Sequence, residues 1–420
     1  MLQNAALPVA EAQRRILARV PLLPVERIPV QDALGRVTAE PVVSRLDLPP
    51  WNNSAMDGYA VRAADVRAGQ RIPVALDLPA GSAAGTVLPV GSAARIMTGA
   101  PLPDNADAIV PVETSAGPRG AGAYADPGEW VAFDRAPAAG HHVRRRGEDV
   151  RRGDTVVAAG ETFTPARIAL AASVGASEVA VHRRPAVTIV STGDELVGVE
   201  RAGEPDRIVN GNAYGLAAMV EEAGGIVAGT PTVSDDEGAV EEALRAALRS
   251  DVVVTVGGVS MGARDPVRPA LARAGVELEF WRVAMRPGGP TAFGVGADGR
   301  PVFALPGNPV SAHVTFELFV RPALRRMAGH RACFRRPMGA RLAQAVDPIP
   351  GKATYLRCRI EPDGEGWRAA PAGPQGSGVL STLARADGLA LLPAEAGRLE
   401  AGAWVEVWPL GDGPFQREDP

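Results

Sequence analysis

The stretch that most constrains the fold is an unbroken run of β-branched residues from Val252 to Val256, followed at once by Gly257 and Gly258. A continuous apolar run of this length predicts a strand buried on both faces, as in the parallel sheet of an α/β domain. Two glycines at its end let the backbone turn tightly and let a ligand approach the peptide N–H groups. Because ligands of open α/β sheets bind at the carboxyl ends of the strands, this stretch predicts a site as well as a fold.

An alternation of strands and helices extends around this stretch, from about residue 186 to 328. Ser234 stands three residues before Glu237, which is the pattern of a capping box. In the last helix, Asn308 is the predicted N-cap and Pro309 the first residue, and Pro322 is expected to bend or interrupt it. We therefore predict a mainly parallel sheet with right-handed crossovers. Its predicted strands lie at 187–190, 226–228, 252–256, 277–283 and 302–305.

The segments on either side have other patterns. Helices are predicted at 9–20, from apolar residues at helical intervals, and at 165–172, with Thr164 as N-cap. The chain contains 38 Pro and 48 Gly. At about 61–140 and again at 331–412, short apolar stretches alternate with turn residues, and no helical period lasts. This pattern predicts an all-β module in the middle and a C-terminal β-barrel or sandwich, so we expect a multidomain α/β plus β protein.

Composition excludes several classes of protein. The formal net charge is −4 and the pI about 5.9, which argues against a nucleic-acid partner. No apolar run reaches the roughly 18 residues of a membrane span, and the first residues lack the apolar core of a signal peptide. Cys333 and Cys358 show no metal-ligand spacing and are interpreted as small buried residues. We expect a cytoplasmic protein in a reducing compartment, with no membrane partner.

Three strand ends in the α/β region share one chemistry, because each combines glycine with small hydroxyl or amide side chains. Backbone N–H groups at such turns bind phosphate or another oxyanion. Carboxylates near the same edge indicate a hard cation, most simply Mg²⁺, and Arg264 and Arg286 can neutralise phosphate charge. The strand ends are Ser191-Thr192-Gly193-Asp194-Glu195, Gly257-Gly258-Val259-Ser260 and Pro306-Gly307-Asn308-Pro309, and the carboxylates are Asp194, Glu195, Asp235, Asp236 and Asp265.

Each of these residues also has a purely structural interpretation. Asp235 and Asp236 can complement a helix dipole, Asp265 can be an N-cap, and Arg286 can be a surface residue. Glycines at strand ends are often only turns. No dinucleotide fingerprint, P-loop or zinc pattern is present. Taken together, the three loops favour a phosphorylated ligand.

Six motifs occur together and in order along the chain. They are Asn-Ser-Ala-Met-Asp-Gly-Tyr-Ala at 53–60, Met-Thr-Gly-Ala at 97–100, Arg-Arg-x-Gly-Glu-Asp at 144–149, Ser-Thr-Gly-Asp-Glu-Leu at 191–196, Gly-Gly-Val-Ser-x-Gly-x-x-Asp at 257–265 and Leu-Pro-Gly-Asn-Pro-Val-Ser at 305–311. This set resembles the motifs of the molybdopterin molybdenumtransferases, the MoeA family, which includes the E domain of gephyrin. The resemblance covers nearly the whole chain. The first and last motifs together are highly specific, whereas Gly-Gly-Val-Ser is shared with other molybdopterin-binding domains.

The resemblance implies a head-to-tail, elongated homodimer whose chain has four domains. Residues 1–45 and 141–180 form the elongated domain I, and residues 46–140 form the β-rich domain II. Residues 181–328 form the central three-layer α/β molybdopterin-binding domain III, and residues 329–420 form the β-barrel domain IV. The implied enzyme inserts molybdate into adenylated molybdopterin, with Mg²⁺-dependent cleavage of the phosphoanhydride, and releases molybdenum cofactor and AMP. A molybdopterin adenylyltransferase is the implied substrate donor.

Residue roles follow from the same motifs. The implied catalytic residues are Asp57 and Thr98, which complete the site of the other chain, and Glu195, Asp235 or Asp236, and Asp265. Glu195 and Asp265 are the implied metal ligands. Many members have lysine where this chain has Gly289, so either Arg282, Arg264 or Arg268 substitutes for it or the affinity for anions is lower. The implied substrate contacts are Ser191, Thr192, Gly193, Gly257, Gly258, Ser260, Arg286, Pro306, Gly307, Asn308 and Ser311.

Three other functions compete with this interpretation. Adenylylation of molybdopterin uses a similar α/β domain, but it does not need the other modules. A receptor-clustering scaffold, as gephyrin is, needs an added interaction region. A non-catalytic pterin carrier is the third. The motifs are compatible with molybdate or tungstate as the oxyanion and with one or more metal ions.

Overall fold

The structure, a computed structural model, describes residues 6–258, 266–364 and 366–411. The predicted residues Ser260, Arg264 and Asp265 lie outside these ranges. The described residues form two compact units. The larger combines the described parts of Met1–Glu26, Gly35–Ala39 and Val181–Pro420, and the smaller combines Arg27–Leu34 with Glu40–Ala180. None of the helices in the described ranges has the length and apolarity to span a membrane.

The α-helices of the described residues confirm the predicted helices near the N-terminus and in the middle of the chain. Thr164 caps the second of them, because its hydroxyl accepts a hydrogen bond from the N–H of Arg167 at 3.3 Å. The helices are α1 Val9–Arg19, α2 Pro165–Ser173, α3 Gly211–Glu222, α4 Glu237–Ala247, α5 Val267–Arg273, α6 Pro309–Thr315, α7 Arg321–Met327 and α8 Leu380–Ala384.

The strands fall into one sheet of the smaller unit and two sheets of the larger unit, with several short two-stranded pairs beside them. In the first half of the chain they are β1 Val25–Pro29, β2 Val42–Val43, β3 Asn53–Ser54, β4 Gly58–Val61, β5 Arg71–Leu78, β6 Ala93–Ile96, β7 Ala108–Pro111, β8 Ser115–Gly117, β9 Gly120–Ala121, β10 Trp130–Phe133, β11 Val143–Arg144, β12 Thr155–Val157, β13 Glu178–His182 and β14 Ala186–Thr192. In the second half they are β15 Leu196–Val197, β16 Ile208–Val209, β17 Ile226–Gly229, β18 Thr232–Val233, β19 Val252–Val256, β20 Glu277–Phe280, β21 Met285–Arg286, β22 Ala292–Val295, β23 Pro301–Leu305, β24 Met338–Leu342, β25 Ala353–Asp363, β26 Gly366–Pro371, β27 Gly388–Leu392 and β28 Trp404–Pro409.

The smaller unit is built on a seven-stranded sheet in the order β7-β4-β6-β5-β10-β8-β9, which confirms the predicted all-β module. Its core includes Tyr59 and Phe133, whose ring centroids lie 5.7 Å apart. The buried hydroxyl of Tyr59 accepts a hydrogen bond from the N–H of Ala125 at 2.7 Å, so this polar group is satisfied inside the core.

The larger unit contains the α/β sheet, in the order β17-β14-β19-β23-β22-β20. The first four strands are parallel, which confirms the mainly parallel prediction. One apolar cluster lies on the α3 and α6 face and another on the α4 and α5 face, so the domain has three layers. Two details differ from the prediction. Strand β20 ends at Phe280, and β22 was not foreseen, because its sequence Ala-Phe-Gly-Val carries a glycine that weakens strand propensity.

One predicted helix start was wrong, and one predicted helix interruption is confirmed. The N-cap of α4 is Asp236 and not Ser234: the carboxylate of Asp236 accepts a hydrogen bond from the N–H of Ala239 at 2.9 Å. A carboxylate two residues later caps the same helix and also complements its dipole. The predicted interruption of the last helix is confirmed: a π-helical turn, Phe316–Val320, separates α6 from α7, and Pro322 is the second residue of α7.

The C-terminal sheet closes into a five-stranded barrel, because β25 pairs with both β26 and β27 and the remaining pairings complete the ring. This closure confirms the predicted barrel. A fully buried arginine, Arg357, lies in it. Its guanidinium donates to the hydroxyl of Thr382 at 2.8 Å and to the carbonyl of Pro374 at 2.9 Å, so the barrel orders the segment that leads to α8.

Candidate functional site

A cavity of about 700 Å³ opens at the carboxyl edge of the parallel sheet. Strand register places it there: Ser191 lies opposite Val256, and Val256 lies opposite Leu305, so the three predicted loops begin side by side. The structure therefore brings together most of the predicted site. The predicted residues that line the cavity are Ser191, Thr192, Gly193, Glu195, Asp235, Gly257, Gly258, Pro306, Gly307 and Asn308.

The two glycines after β19 are required by close packing. Gly257 and Gly258 have φ of +96° and +60°, in the left-handed region that favours glycine. A Cβ on Gly257 would lie 2.6 Å from the carbonyl oxygen of Thr192, and one on Gly258 would lie 2.4 Å from a methyl carbon of Val267. The floor of the cavity is thus bare backbone, which a phosphate or another oxyanion can approach closely.

Polar side-chain atoms at this edge lack partners within the part of the chain that the structure describes. Ser191 and Thr192 are buried, and neither hydroxyl is hydrogen-bonded to any described residue. The side-chain oxygen of Asn212 is also buried and accepts no hydrogen bond from any described residue. Buried polar groups in native proteins are normally paired, so unpaired ones that line a cavity indicate a ligand.

Carboxylates collect at one side of the cavity. The backbone N–H of Asp235 donates to the carboxylate of Asp194 at 3.2 Å. Burial raises the pKa of Asp235, and the negative charges of Asp194 and Glu195 raise this pKa further. Such crowding favours a bound cation. Within residues 6–258, 266–364 and 366–411, no group of three or more His, Cys, Asp or Glu side chains is placed to hold a metal ion, and the predicted ligand Asp265 lies outside these ranges.

The cavity also has an apolar wall that the sequence analysis missed. Leu196 and Val209 come from the short parallel pair β15–β16, together with the exposed Ile208. Leu380, the first residue of α8, contributes from the barrel end of the chain. The sequence did contain a signal for this wall. The apolar pair Ile208-Val209 is followed directly by Asn-Gly-Asn, so it resembles the three strand ends that were predicted to bind the ligand.

Three predicted residues lie elsewhere in the structure. The carboxylate of Asp236 caps α4 by accepting a hydrogen bond from the N–H of Ala239. Ser311 is buried inside α6, where its carbonyl accepts a hydrogen bond from the hydroxyl of Thr315. Arg286 lines a separate cavity of about 260 Å³ beside the barrel. Burial lowers the pKa of the neighbouring Arg357, and the charge of Arg286 lowers it further, so positive charge accumulates on this side.

Neither of the described arginines considered as a substitute for the lysine missing at Gly289 lines the main cavity. The guanidinium of Arg268 lies over the ring of Trp281, 5.2 Å from its centroid. The backbone carbonyl of Arg282 accepts a hydrogen bond from the N–H of Leu7, two residues before α1. Arg264 lies outside the described residues.

The remaining predicted pair, Asp57 and Thr98, belongs to the smaller unit. Asp57 precedes β4 and Thr98 follows β6, and these strands are antiparallel neighbours, with Gly58 opposite Ile96. The two side chains therefore meet at one edge of the sheet. Hydrogen bonds from the N–H and the hydroxyl of Thr98 lower the pKa of Asp57, so its exposed carboxylate is held in the ionised form.

Family models match most of the chain in three consecutive blocks. Residues 7–175 match the MoeA N-terminal region, described as domains I and II. Residues 188–326 match a probable molybdopterin binding domain. Residues 339–410 match the MoeA C-terminal region, domain IV. The cavity lies within the second block, and the Asp57–Thr98 pair lies within the first.

Curated relatives and solved structures match over the same extent. Molybdopterin molybdenumtransferase 2 of Mycobacterium tuberculosis is 40% identical and covers 91% of this chain and 94% of its own. Molybdopterin molybdenumtransferase of Haemophilus influenzae is 32% identical, over 96% and 98%. A solved structure of a molybdopterin biosynthesis MoeA protein from Pyrococcus horikoshii has a TM-score of 0.79 at 28% identity and covers 96% of this chain and 100% of that one.

Proposed function

Because the chain belongs to the molybdopterin molybdenumtransferases, the transferases that insert molybdenum into molybdopterin, we propose that its substrates are adenylated molybdopterin and molybdate. In the proposed reaction the dithiolene of the pterin takes up molybdenum, and the phosphoanhydride is cleaved with Mg²⁺. The products are molybdenum cofactor and AMP.

The observation that carries the proposal is the mixed lining of the 700 Å³ cavity. Bare backbone at Gly257 and Gly258 and the unpaired hydroxyls of Ser191 and Thr192 suit the phosphate oxygens of a phosphoanhydride. The apolar wall of Leu196, Ile208, Val209 and Leu380 suits a flat heterocycle. A nucleotide joined to a pterin through two phosphates combines both kinds of surface.

The carboxylates fit a hard cation. We propose that Glu195 holds Mg²⁺ together with Asp265, as the resemblance implies, and that Asp235 and Asp194 add negative charge around it. Carboxylate oxygens are the usual protein ligands of this ion. When bound, Mg²⁺ supplies positive charge that offsets the charge of the phosphates and of molybdate. Burial is the largest cause of the raised pKa of Asp235, and the charges of Asp194 and Glu195 add to it, so a bound cation would favour the ionised form of this carboxylate.

No cysteine of the chain is a candidate nucleophile among the described residues. Both Cys333 and Cys358 are buried, and burial raises the pKa of the Cys358 thiol to about 12. The attacking thiolates in the proposed reaction belong to the substrate, so the protein needs only to bind, orient and neutralise charge. Two unpaired thiols also suit the cytoplasm, where we propose that the enzyme works.

We further propose that the enzyme is a homodimer of four-domain chains. Asp57 and Thr98 of one subunit then complete the cavity of the other, as the resemblance implies. The exposed, ionised carboxylate of Asp57 suits a role toward a group outside its own unit. Arg286 supplies positive charge for anionic groups that reach the barrel side, and a molybdopterin adenylyltransferase delivers the substrate.

The test is a single-turnover assay with purified protein, adenylated molybdopterin, molybdate and Mg²⁺. We expect release of AMP and formation of cofactor that activates an apo-molybdoenzyme, and we expect neither product when Mg²⁺ is chelated. Glu195→Ala should remove both products, whereas Glu200→Ala, a likewise exposed glutamate five residues further along the chain, should behave as wild type. Absence of AMP from the wild-type reaction contradicts the proposal. Adenylation of molybdopterin from ATP would instead identify an adenylyltransferase.

A further inference from the structure

Two asparagines flank Gly211 at the start of α3, and the structure uses them differently. Asn210 is buried, and both ends of its amide are hydrogen-bonded: its side-chain oxygen accepts from the N–H of Ala213 at 3.2 Å, and its side-chain nitrogen donates to the hydroxyl of Thr232 at 2.9 Å. Asn212 lines the cavity, and only half of its amide is used. Asn210 therefore serves the fold, and Asn212 has hydrogen-bonding capacity to spare.

The orientation of the Asn212 amide follows from its one partner. Its side-chain nitrogen donates to the carbonyl oxygen of Gly307 at 2.8 Å, across a sequence separation of 95 residues. The reverse orientation would set two oxygens against each other, because a carbonyl oxygen only accepts. This tie links the start of α3 to the turn between β23 and α6 and directs the amide oxygen away from Gly307.

The amide oxygen of Asn212 is enclosed and accepts no hydrogen bond from any residue in the described ranges. An enclosed amide oxygen without a donor is unfavourable, so a ligand that brings a donor gains affinity there. Phosphate, molybdate and AMP phosphate oxygens carry no N–H donor and would be repelled. The apolar residues Ile208 and Val209 lie only a few positions before Asn212 and line the same cavity.

We propose that Asn212 is a specificity-determining residue whose amide oxygen accepts a hydrogen bond from an exocyclic amine of the substrate's heterocycle. This inference rests on the proposed function and deepens it. Adenylated molybdopterin carries such an amine on the adenine and another on the pterin, and both present the same donor to Asn212. An oxo group in place of the amine offers only an acceptor, which leaves the amide oxygen unpaired and opposed by a second oxygen.

Two pairs of small probes separate the two sources of the amine. AMP and inosine monophosphate differ by the amine and oxo group of the purine, and pterin and lumazine differ by the amine and oxo group of the pteridine. Calorimetric titration of the wild-type protein with each probe should show that one amine-bearing member binds roughly tenfold more tightly than its oxo counterpart. The pair that discriminates identifies the ring that Asn212 contacts.

Three variants test whether Asn212 causes the preference for the amine-bearing probe. Asn212→Ala should abolish it by weakening only the amine-bearing probe. Asn212→Asp keeps an oxygen acceptor and should retain the preference even if loss of the tie to Gly307 lowers the melting temperature. Glu221→Ala, exposed on the last turn of the same helix, should bind all four probes as wild type does.

The inference is overturned if the wild type distinguishes neither pair, or if Asn212→Ala retains the preference. These outcomes concern binding alone and do not depend on turnover. A wild-type protein that discriminates the probes but releases no AMP would contradict the proposed reaction and leave the role of Asn212 supported. A protein that releases AMP but binds the amine-bearing and oxo-bearing probes equally would support the proposed reaction and contradict the role of Asn212.

Discussion

The carboxylate of Asp57 accepts two hydrogen bonds from Thr98, one from its N–H and one from its hydroxyl, each 2.7 Å long. The two residues are 41 positions apart, and the pairing of β4 with β6 brings them together. Both donors favour the ionised carboxylate. The pair is thus a fixed negative charge presented at the edge of the smaller unit's sheet.

Removing the hydroxyl of Thr98 should remove one of the two hydrogen bonds that lower the pKa of Asp57. We expect Thr98→Val to raise the pKa of Asp57 toward its ordinary value, while the backbone N–H, the larger cause of the lowered pKa, still holds it partly down. The stability that this carboxylate contributes is present above its unfolded-state pKa and is lost as the pH falls through the lower folded pKa, so the variant should lose it at a higher pH. NMR titration of the carboxyl carbon measures the shift. An unchanged titration would show that the hydroxyl does not bond the carboxylate.

Mixed dimers should reveal whether Asp57 acts across subunits. Asp57→Ala and Glu195→Ala should each reduce AMP release about 100-fold or more, because each removes charge from the proposed site. Coexpressed and randomly paired, the two variants should recover about a quarter of wild-type activity, since half of the dimers then hold one complete site. Recovery would be absent if both residues served the same chain. Asp104→Ala, an exposed carboxylate of the same unit, is the matched control for Asp57→Ala.

The ionised carboxylate of Asp235 should lower the stability of the fold while it contributes to cation binding. Its folded pKa is raised by burial and by Asp194 and Glu195, so above that pKa the ionised carboxylate destabilises the folded state. Asp235→Asn should therefore raise the melting temperature at pH 7.5, but only slightly, because solvent screens much of the charge of this exposed side chain. The gain should shrink as the pH falls through the raised pKa, because wild-type Asp235 is then protonated. The same variant should bind Mg²⁺ more weakly by calorimetry, and an equal or tighter affinity would remove Asp235 from the cation site.

Gly257→Ala should destabilise the fold for two reasons: alanine is strained at a positive φ, and its methyl group would contact the protein backbone. Gly275 has a similar φ of +82° but nothing within 4 Å of its missing Cβ, so Gly275→Ala should cost about 1 kcal/mol of unfolding free energy. Gly257→Ala adds the contact with the carbonyl of Thr192 and should cost about 3 kcal/mol or more. Urea denaturation of both variants measures the difference. Equal losses would mean that the cavity floor yields easily.

Much of the fold was predictable because its determinants are local. The run Val252–Val256 became a central strand, and Thr164-Pro165 began a helix, since residue type alone sets these outcomes. Prediction was less accurate at α4, where Ser234, Asp235 and Asp236 are all able to cap a helix. The choice of Asp236 depends on where β18 ends, at Val233, and where the helix packs against the sheet. Residues adjacent in sequence compete for such a role, and packing selects among them.

Tertiary structure alone decided which of the predicted residues share a cavity. The sequence by itself determined the central strand β19 and the glycine turn that follows it, because β-branched runs and glycines act on their own backbone. It could not place Asn212 beside Gly307, bring Leu380 from the barrel to the sheet edge, or separate Arg286 into a second cavity. Those relationships depend on strand register and domain packing, which join residues that no local pattern connects.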